Sequence, residues 1–579
     1  MTGREEETMN FATPAGFRDV LSDEARQREL IARAVQDRFA TCGYAPIETP
    51  TLEAMDVMRA SGRLPGSPFK FFDSQGDLLA MRPDVTLQVA RMVATRLPGQ
   101  PGPFRFRYMQ RVFREAEVEL QAAARELTQM GVECIGVSGP EADAEVVGLL
   151  AEALALAGVR NCTMALATVG VLRALLEASG APTWWKEQVL DAYHASNFVE
   201  LDRLTSSEGA VPPVDSVSNP DRFTGRVAVP PVFAAAIRAL PRIRGGREAI
   251  DEVRALVAPL GCEDGLDDFA RTYDLLAQAG LGARILIDFS VMSSFDYYTG
   301  IVFEAYAPGL GAPLGSGGRY DNMIAAYGQS RPAAGFAFFL EQAMAAAARE
   351  RAAAAADERP LRVAVPKGSL NKDTVKALAE AGLDVLGLAD PGRQLIISNP
   401  GVDYVIVRPT DAPVFVALGA ADCGMCGKDS LLEAAPDVVE LVDLRYGACR
   451  FVVAEPAGAA EATAAHHREL GSIRVATKYP RITQAHYAKT GTQVEIVKLH
   501  GNIELAPLTG MAERIVDITA TGTTLKENDL VVVEEVLSST ARFFANACAF
   551  RTDARIVQLA QALQQGADAP ASQQNAEQE

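Results

Sequence analysis

Residues 516–525, VDITATGTTL, hold the densest chemistry in the chain. An apolar run delivers Asp517 and Thr519 to the turn Ala520, Thr521, Gly522, Thr523, Thr524, and a helix-like LKEN follows. A strand that hands an acid and a Thr/Gly turn to a helix start is a phosphate cradle. Gly522 lets the backbone approach an anion, the free amides of the next helix point at it, and the helix dipole favours negative charge. The threonine hydroxyls add donors, and Asp517 is placed to accept from sugar hydroxyls. Four other segments offer donors to an anion. Lys367 and the amide of Gly368 sit in PKGSL, where a strand turns into a helix. Arg408 ends the strand-like YVIVRP, and Lys478 lies in ATKYP. The Gly-rich GAADCGMCGKD of residues 419–429 carries Asp422 and Lys428. Strand ends beside loops are where open α/β sheets bind ligands.

The elements that must position these groups alternate. After Pro360, short apolar runs (LRVAV, YVIVRP, IRVAT, VEIVKL, IVDIT) are separated by helical stretches, which predicts an α/β region with mostly parallel strands. Before residue 360 the rhythm is looser. A helix over 22–42 precedes strand-like pieces near 44–50, 68–82, 104–113, 129–136, 284–289 and 299–306, which predicts an α+β region around a large antiparallel sheet. Between the two, the Ala-rich residues 343–360 read as a helical linker. Residues 205–232, rich in Pro, Ser and Asp, read as an insertion loop, and residues 1–10 and 566–579 as disordered ends.

Composition narrows the function classes. A chain of 579 residues is too long for one core. A formal charge of −19 argues against general nucleic-acid binding. No apolar run reaches membrane-spanning length, and the acidic start MTGREEETMN is unlike a signal peptide, so a cytoplasmic location is expected. The eight cysteines are dispersed, which suits reduced thiols. Cys423 and Cys426 form a C-x-x-C without a second pair and read as small buried residues. His466 and His467 read as a solvated helix face rather than a metal site.

Taken in order, LRVAVPKGSL, GRQLI, VDYVIVRPTDAPVFVALGAADCGMCGKDSLLE, VDLRYGACRFVVAEP, IRVATKYPRIT, VEIVKLHGNIELAPLTGMAERIVDITATGTTLKENDL and EEVLSSTARFFANA resemble the catalytic subunit of short-form ATP phosphoribosyltransferase. The resemblance implies a two-lobed fold like that of periplasmic binding proteins over 361–565, with lobe I at 361–460 and 541–565 and lobe II at 461–540. It implies condensation of ATP with phosphoribosyl pyrophosphate, the first step of histidine biosynthesis, with Mg²⁺ chelated by substrate and no metal ligand assigned to the protein. It assigns Asp517, Thr519, Ala520, Thr521, Gly522, Thr523 and Thr524 to phosphoribosyl pyrophosphate. Lys367, Gly368, Asp422, Lys428 and Lys478 fall to ATP. An oxocarbenium-like transition state needs positioning and charge stabilisation rather than a nucleophile, a role suited to the guanidinium forks of Arg393 and Arg408. Ser369 stands where the family often has arginine, which leaves one phosphate contact open.

Residues 11–26 (FATPAGFRDVLSDEAR), GYAPIETPTLE, MRPDVTLQVARMVA, FREAEVEL with RELTQMGVE, FDYYTGIVFE and PLGSGGRYDNMI resemble histidyl-tRNA synthetase and, more closely, the synthetase-like regulatory subunit of ATP phosphoribosyltransferase. The resemblance implies a class II synthetase fold over 11–342, with the first motif near Pro50 at a dimer interface and hence a homo-oligomer. Asp84, Thr86, Gln129, Glu133, Tyr297 and Tyr298 fall on histidine-recognition positions. The activation residues are altered: Ser293 and Gln342 stand where synthetases carry arginine, and the second-motif loop reads EAEVELQAAA. The expectation is a fusion of regulator and catalyst, with histidine as effector. The alternatives are a histidyl-tRNA synthetase with an accessory module and a non-catalytic small-molecule-binding protein. Removing these cations removes triphosphate affinity, so the chain is expected to show no histidine-dependent exchange of pyrophosphate into ATP; a measurable exchange rate would restore the synthetase reading.

Overall fold

The computed structural model describes residues 12–60, 68–115, 124–207, 209, 229–291, 297–328, 330–353, 359–519 and 522–569. The expected N-terminal tail, most of the loop expected at 205–232, Ser293 and most of the second-motif loop lie outside the described residues. The chain forms two compact units. The first comprises Met1–Ala178, Ala239–Pro308 and Pro313–Ala355; the second comprises Ser179–Arg238, Gly309–Ala312 and Ala356–Glu579.

The first unit is built on a nine-stranded sheet. Its order is Ala45–Pro46, Phe104–Phe113, Glu126–Ile135, Ala333–Phe339, Gly315–Arg319, Ile301–Tyr306, Thr163–Thr168, Ile285–Asp288, Arg244–Gly245. All neighbours are antiparallel except the first pair and the pair Thr163–Thr168 with Ile285–Asp288. Helix Ser22–Thr41 buries Ala32, Val35 and Phe39, a stripe at helical spacing. Helix Leu340–Ala353 is not a free spacer. Ala343, Ala346 and Ala347 are buried, and the Glu350 carboxylate accepts from the amides of Arg160 (2.9 Å) and Asn161 (3.2 Å). Small side chains let this helix lie close against its own unit, so the expected linker is mostly part of the first unit.

The second unit has two sheets. The six-stranded one runs Ile396–Asn399, Val402–Val407, Leu361–Pro366, Cys423–Gly427, Ala541–Asn546, Val438–Asp443. The five-stranded one runs Val494–Lys498, Ile473–Thr477, Arg514–Thr519, Cys449–Pro456, Leu530–Ser539. Each contains three adjacent parallel strands: the second to fourth of the six-stranded sheet and the first to third of the five-stranded sheet. Cys449–Pro456 pairs inside the second sheet, so the chain changes lobe at 444–448 rather than near 460. It returns through Ser539 and Thr540, and the two crossing segments are tied by Leu444 N–H to Ala541 O (2.9 Å) and Ala541 N–H to Tyr446 O (2.9 Å). Glu433 of the first lobe adds a tie to the second, accepting from the amides of Arg481 and Ile482 (both 3.1 Å) at the start of helix Pro480–Thr490.

Two sequence expectations meet this architecture directly. Cys423 and Cys426 are free and fully buried on one strand. An odd offset sends them to opposite sheet faces, one into the cluster with Val363 and Phe543, the other into the cluster with Val416 and Phe544. The boundary at 11–342 also needs revision, because Ser179–Arg238 folds with the second unit. Trp185 there is fully buried, with its indole N–H on Leu204 O (3.0 Å), and Phe198 enters the same core cluster as Leu361, Val439 and Phe543. The last helix, Ala554–Asp568, buries Ile556, Leu559 and Leu563 and so runs slightly past the expected ordered limit. Residues 570–579 lie outside the described residues.

Candidate active site and a second buried pocket

Strand direction decides which expected site residues meet. In the six-stranded sheet, Lys367 directly follows Leu361–Pro366 and donates its amide to Val407 O (2.8 Å). Gly368 follows at φ +85°, where a side chain would be strained. Arg408 directly follows the parallel neighbour Val402–Val407, and its carbonyl accepts from Asp411 N–H (2.9 Å). Arg393 precedes Ile396–Asn399, which runs antiparallel to that neighbour, so it falls toward the same edge; Leu395 O accepts from Ile406 N–H there (2.9 Å). Arg393, Arg408 and Gly368 are exposed and Lys367 is half-buried. This edge therefore gathers three cations.

Two residues expected to touch ATP are placed differently. Asp422 precedes Cys423–Gly427 and so sits at the opposite edge. It is 2% exposed, with Oδ2 on Arg362 N–H (2.8 Å) and Oδ1 paired with Arg359, and its carbonyl accepts from Asn546 N–H (2.9 Å). Asp422 locks three chain segments together and is not at the ligand edge. Lys428 is at the correct edge, as the first residue of helix Lys428–Ala434, but its ammonium is already paired with the buried Glu440. It acts as a fixed internal cation rather than an open donor.

In the five-stranded sheet, Lys478 follows Ile473–Thr477 and lies exposed, 5.8 Å from the Tyr479 ring centroid. The parallel neighbour Arg514–Thr519 carries Asp517, half-buried, with Oδ1 accepting from Ile518 N–H (2.8 Å). Burial pushes the Asp517 carboxyl up to about 6; the Ile518 amide and Lys478 oppose this, and Glu504 reinforces it. Thr519 Oγ1 accepts from Gly522 N–H (2.8 Å), and Gly522 turns at φ +76° into helix Thr523–Glu527, whose Thr523 and Thr524 are exposed. Ala520 and Thr521 lie outside the described residues. The helix is only five residues long, so its loose amides matter more than any macrodipole. Sequence reasoning missed Arg450, which pairs in register with Thr519 and is exposed at the same edge, 3.5 Å from Glu535. Its signal was a lone cation at the start of an apolar run.

Both ligand edges border the hinge. The chain leaves the first sheet at Asp443, the terminal end of a strand oriented like Cys423–Gly427, and enters the second at Cys449, beside Thr519 and Ser539. The cations of one lobe, and Asp517, Thr519 and Gly522 of the other, thus lie at the sheet edges next to the crossing segments. Among the described residues, no cluster of three or more His, Cys, Asp or Glu side chains is arranged to hold a metal.

The first unit holds a separate buried polar cluster, and the structure brings the six expected residues together there. Asp84 Oδ1 accepts from Thr86 N–H (2.7 Å) and Oδ2 from Gln129 Nε2 (3.0 Å). Glu133 is 1% exposed; Thr86 Oγ1 (2.7 Å) and Tyr108 OH (3.2 Å) donate to one oxygen and Tyr320 OH to the other. Tyr297 stacks at a tilt on Tyr298 (4.7 Å) and edge-on to Tyr320 (6.0 Å). Burial pushes the Glu133 carboxyl up to about 8, against the lowering effect of Tyr320, Thr86 and Tyr108. Tyr108, Tyr320 and Arg114 were missed by sequence reasoning. Arg114 donates to Pro83 O (3.1 Å), lies 5.0 Å from the Phe339 ring and feels the charge of Asp84. Gly318 is required, since a Cβ there would come within 2.7 Å of the Tyr298 ring.

These features define a class II synthetase-like unit and a two-lobed α/β unit in one chain. Comparison with known proteins gives two families in the same order, the first of them also spanning Ser179–Arg238. The histidyl-tRNA synthetase family matches residues 16–343 and the ATP phosphoribosyltransferase family matches residues 408–565. The chain is 50% identical over 212 residues to an ATP phosphoribosyltransferase of Moorella thermoacetica, covering 36% of this chain and 93% of that one. It is 35% identical over 335 residues to the ATP phosphoribosyltransferase regulatory subunit of the same organism, covering 58% and 81%. A solved ATP phosphoribosyltransferase regulatory subunit/histidyl-tRNA synthetase from Bacillus halodurans aligns with TM-score 0.52 and 26% identity, covering 70% of this chain and all of that one. The chain belongs to the ATP phosphoribosyltransferase family, with a regulatory-subunit homologue and a catalytic-subunit homologue in one polypeptide. No helix among the described residues is long and apolar enough to cross a membrane.

The placement of Asp422 separates structure from binding. Asp422→Asn loses a charge-assisted pair with a partly exposed arginine, expected to lower stability by about 1–3 kcal/mol. Its Michaelis constants should stay near wild type, whereas Lys478→Ala should raise them; the opposite pattern in steady-state kinetics would return Asp422 to the ligand site.

Proposed function

We propose that the cleft joins ATP to phosphoribosyl pyrophosphate, releasing pyrophosphate, and that the buried pocket of the first unit binds histidine as a feedback effector. What supports the first reading is that Lys367, Arg393 and Arg408 gather at one sheet edge of one lobe, and Lys478, Asp517 and Gly522 at one sheet edge of the other, with both edges adjoining the crossing segments. Phosphoribosyl transfer develops charge on a departing pyrophosphate, which preorganised guanidinium groups stabilise without reorganising. The Thr519–Thr524 turn would cradle the 5-phosphate and Asp517 would accept from ribose hydroxyls. Lys367, Gly368 and Lys478 would serve ATP. Mg²⁺ would enter with the pyrophosphate as part of the substrate. A homo-oligomer and a cytoplasmic location belong to the same reading.

For the second reading, Glu133, Asp84, Thr86 and Gln129 present oxygens suited to an α-ammonium and an imidazole donor, between aromatic walls. Of the residues needed for adenylate chemistry, Gln342 is described and is no cation, and its Oε1 is buried without a hydrogen-bond partner. A pocket that retains ligand contacts while lacking that cation suits sensing rather than aminoacylation.

Asp517 is the stronger acceptor for a sugar hydroxyl when ionised, so a carboxyl pushed up to about 6 makes phosphoribosyl pyrophosphate binding tighten as pH rises through that value. The Michaelis constant for that substrate should fall between pH 5 and about 7 in wild type, by up to roughly tenfold per unit below the pKa. Asp517→Asn should be weak and flat across the range; a wild-type profile in that variant would remove Asp517 from the site.

Arg408→Ala is expected to slow the chemical step more than it weakens substrate affinity, because the charge it meets grows in the transition state. In the regulatory pocket, Glu133 holds a proton near neutrality and a bound ammonium favours its carboxylate. Histidine affinity should therefore rise with pH toward about 8, with proton release seen by calorimetry in buffers of differing ionisation enthalpy. Glu133→Gln should abolish the release and the inhibition together; inhibition unchanged in that variant would place the effector elsewhere.

A further inference from the structure

One carboxylate near the cleft has no place in the chemistry above. Glu440, in the edge strand Val438–Asp443, is 6% exposed and holds two cations, Arg542 Nε (2.9 Å) and the Lys428 ammonium. Arg542 also reaches Asp443 (2.5 Å), and Lys428 donates its amide to Thr540 O (3.0 Å) in the return crossing. The Glu440 amide goes outside the sheet: it donates to Ser196 O (3.1 Å), and Asn197 and Glu440 form an isolated parallel bridge. Ser196 and Asn197 come from Ser179–Arg238, which lies in the middle of the synthetase-like region of the sequence yet folds with the second unit.

The contact is built rather than incidental. Ser196 is held at φ +47°, a conformation unusual for a non-glycine residue. The Asn197 side chain then caps helix Phe198–Leu204 by accepting from Glu200 N–H (2.9 Å). Phe198, the first residue of that helix, is buried edge-to-face on Phe550, with centroids 6.2 Å apart. The turn occupies a sheet edge that would otherwise offer open backbone donors.

We propose that this turn is a fixed part of the catalytic lobe and that Glu440 is a positioning residue: the turn sets the Glu440 backbone, and the Glu440 carboxylate sets Lys428 and Arg542 beside the hinge. The inference rests on the cleft being the reaction site. Through it, a segment encoded within the regulatory half reaches the charges that border the substrates.

The test uses the full chain. Phe198→Asp should accelerate hydrogen exchange at the Glu440 amide while the amides of Leu361–Pro366 keep their protection. Phe198→Asp and the near-isosteric Glu440→Gln should each lower kcat about tenfold or more, as displaced charges do. Phe198→Leu should restore kcat, and the double variant should lose no more than the worse single one, since both act on one path. Glu440→Gln carries the kinetic test if Phe198→Asp unfolds the lobe. Unchanged exchange in a folded Phe198→Asp, wild-type kcat in Glu440→Gln, or additive losses would each overturn the proposal. If wild type does not turn over ATP with phosphoribosyl pyrophosphate, or Arg408→Ala has no effect, the cleft reading fails instead.

Discussion

The second unit depends on how it carries charge across its hinge. Lys428, Glu440, Arg542 and Asp443 form a chain of alternating sign where the lobes join, with Glu440 almost wholly buried. A lone buried carboxylate would be severely penalised, and its pairing with two cations offsets that penalty only while the geometry holds. Every member is on, or directly beside, an element bordering a crossing segment. Thr540 binds Asp443 through its hydroxyl (2.8 Å) and Lys428 through its carbonyl, so the return strand is fastened to the same charges. The crossing segments are fastened by directional polar contacts.

The two ligand edges follow from this arrangement. Parallel strands put their terminal ends on one side of a sheet, and the hinge joins those sides of both sheets. Cations that are far apart in sequence, Lys367, Arg393 and Arg408, therefore gather at one sheet edge. Their exposure suits groups that must meet a polyanion, since a surface arginine keeps its hydration until substrate displaces it. Asp517 is the exception, half-buried and with a raised affinity for its proton, which fits a group that reads neutral hydroxyls rather than phosphate.

The first unit solves a different problem. There Glu133 is almost wholly buried and held by three hydroxyl donors, two of them from tyrosines whose own ionisation is suppressed by burial. Neutral phenols donate to the acid and wall the cavity at once. The close glycine strand Gly315–Arg319 makes room for the rings, as the Gly318–Tyr298 approach shows.

By itself the sequence determined the two-part architecture and the alternating α/β pattern after residue 360, because each rests on local composition and spacing. It also carried the six pocket residues, whose identities sit in short, specific segments. It could not say that Asp422 faces away from the cleft, since both ends of a strand look alike until its direction in the sheet is known. Nor could it show that Lys428 is already neutralised, because Glu440 is twelve residues away on another strand. The alanine-rich helix read as a spacer because alanine is ambiguous between exposure and close packing, and only the neighbouring surface decided that. Most of all, the tertiary structure decided that Ser179–Arg238 folds with the second unit. A backbone carbonyl meeting the amide of an edge strand leaves no mark in side-chain pattern.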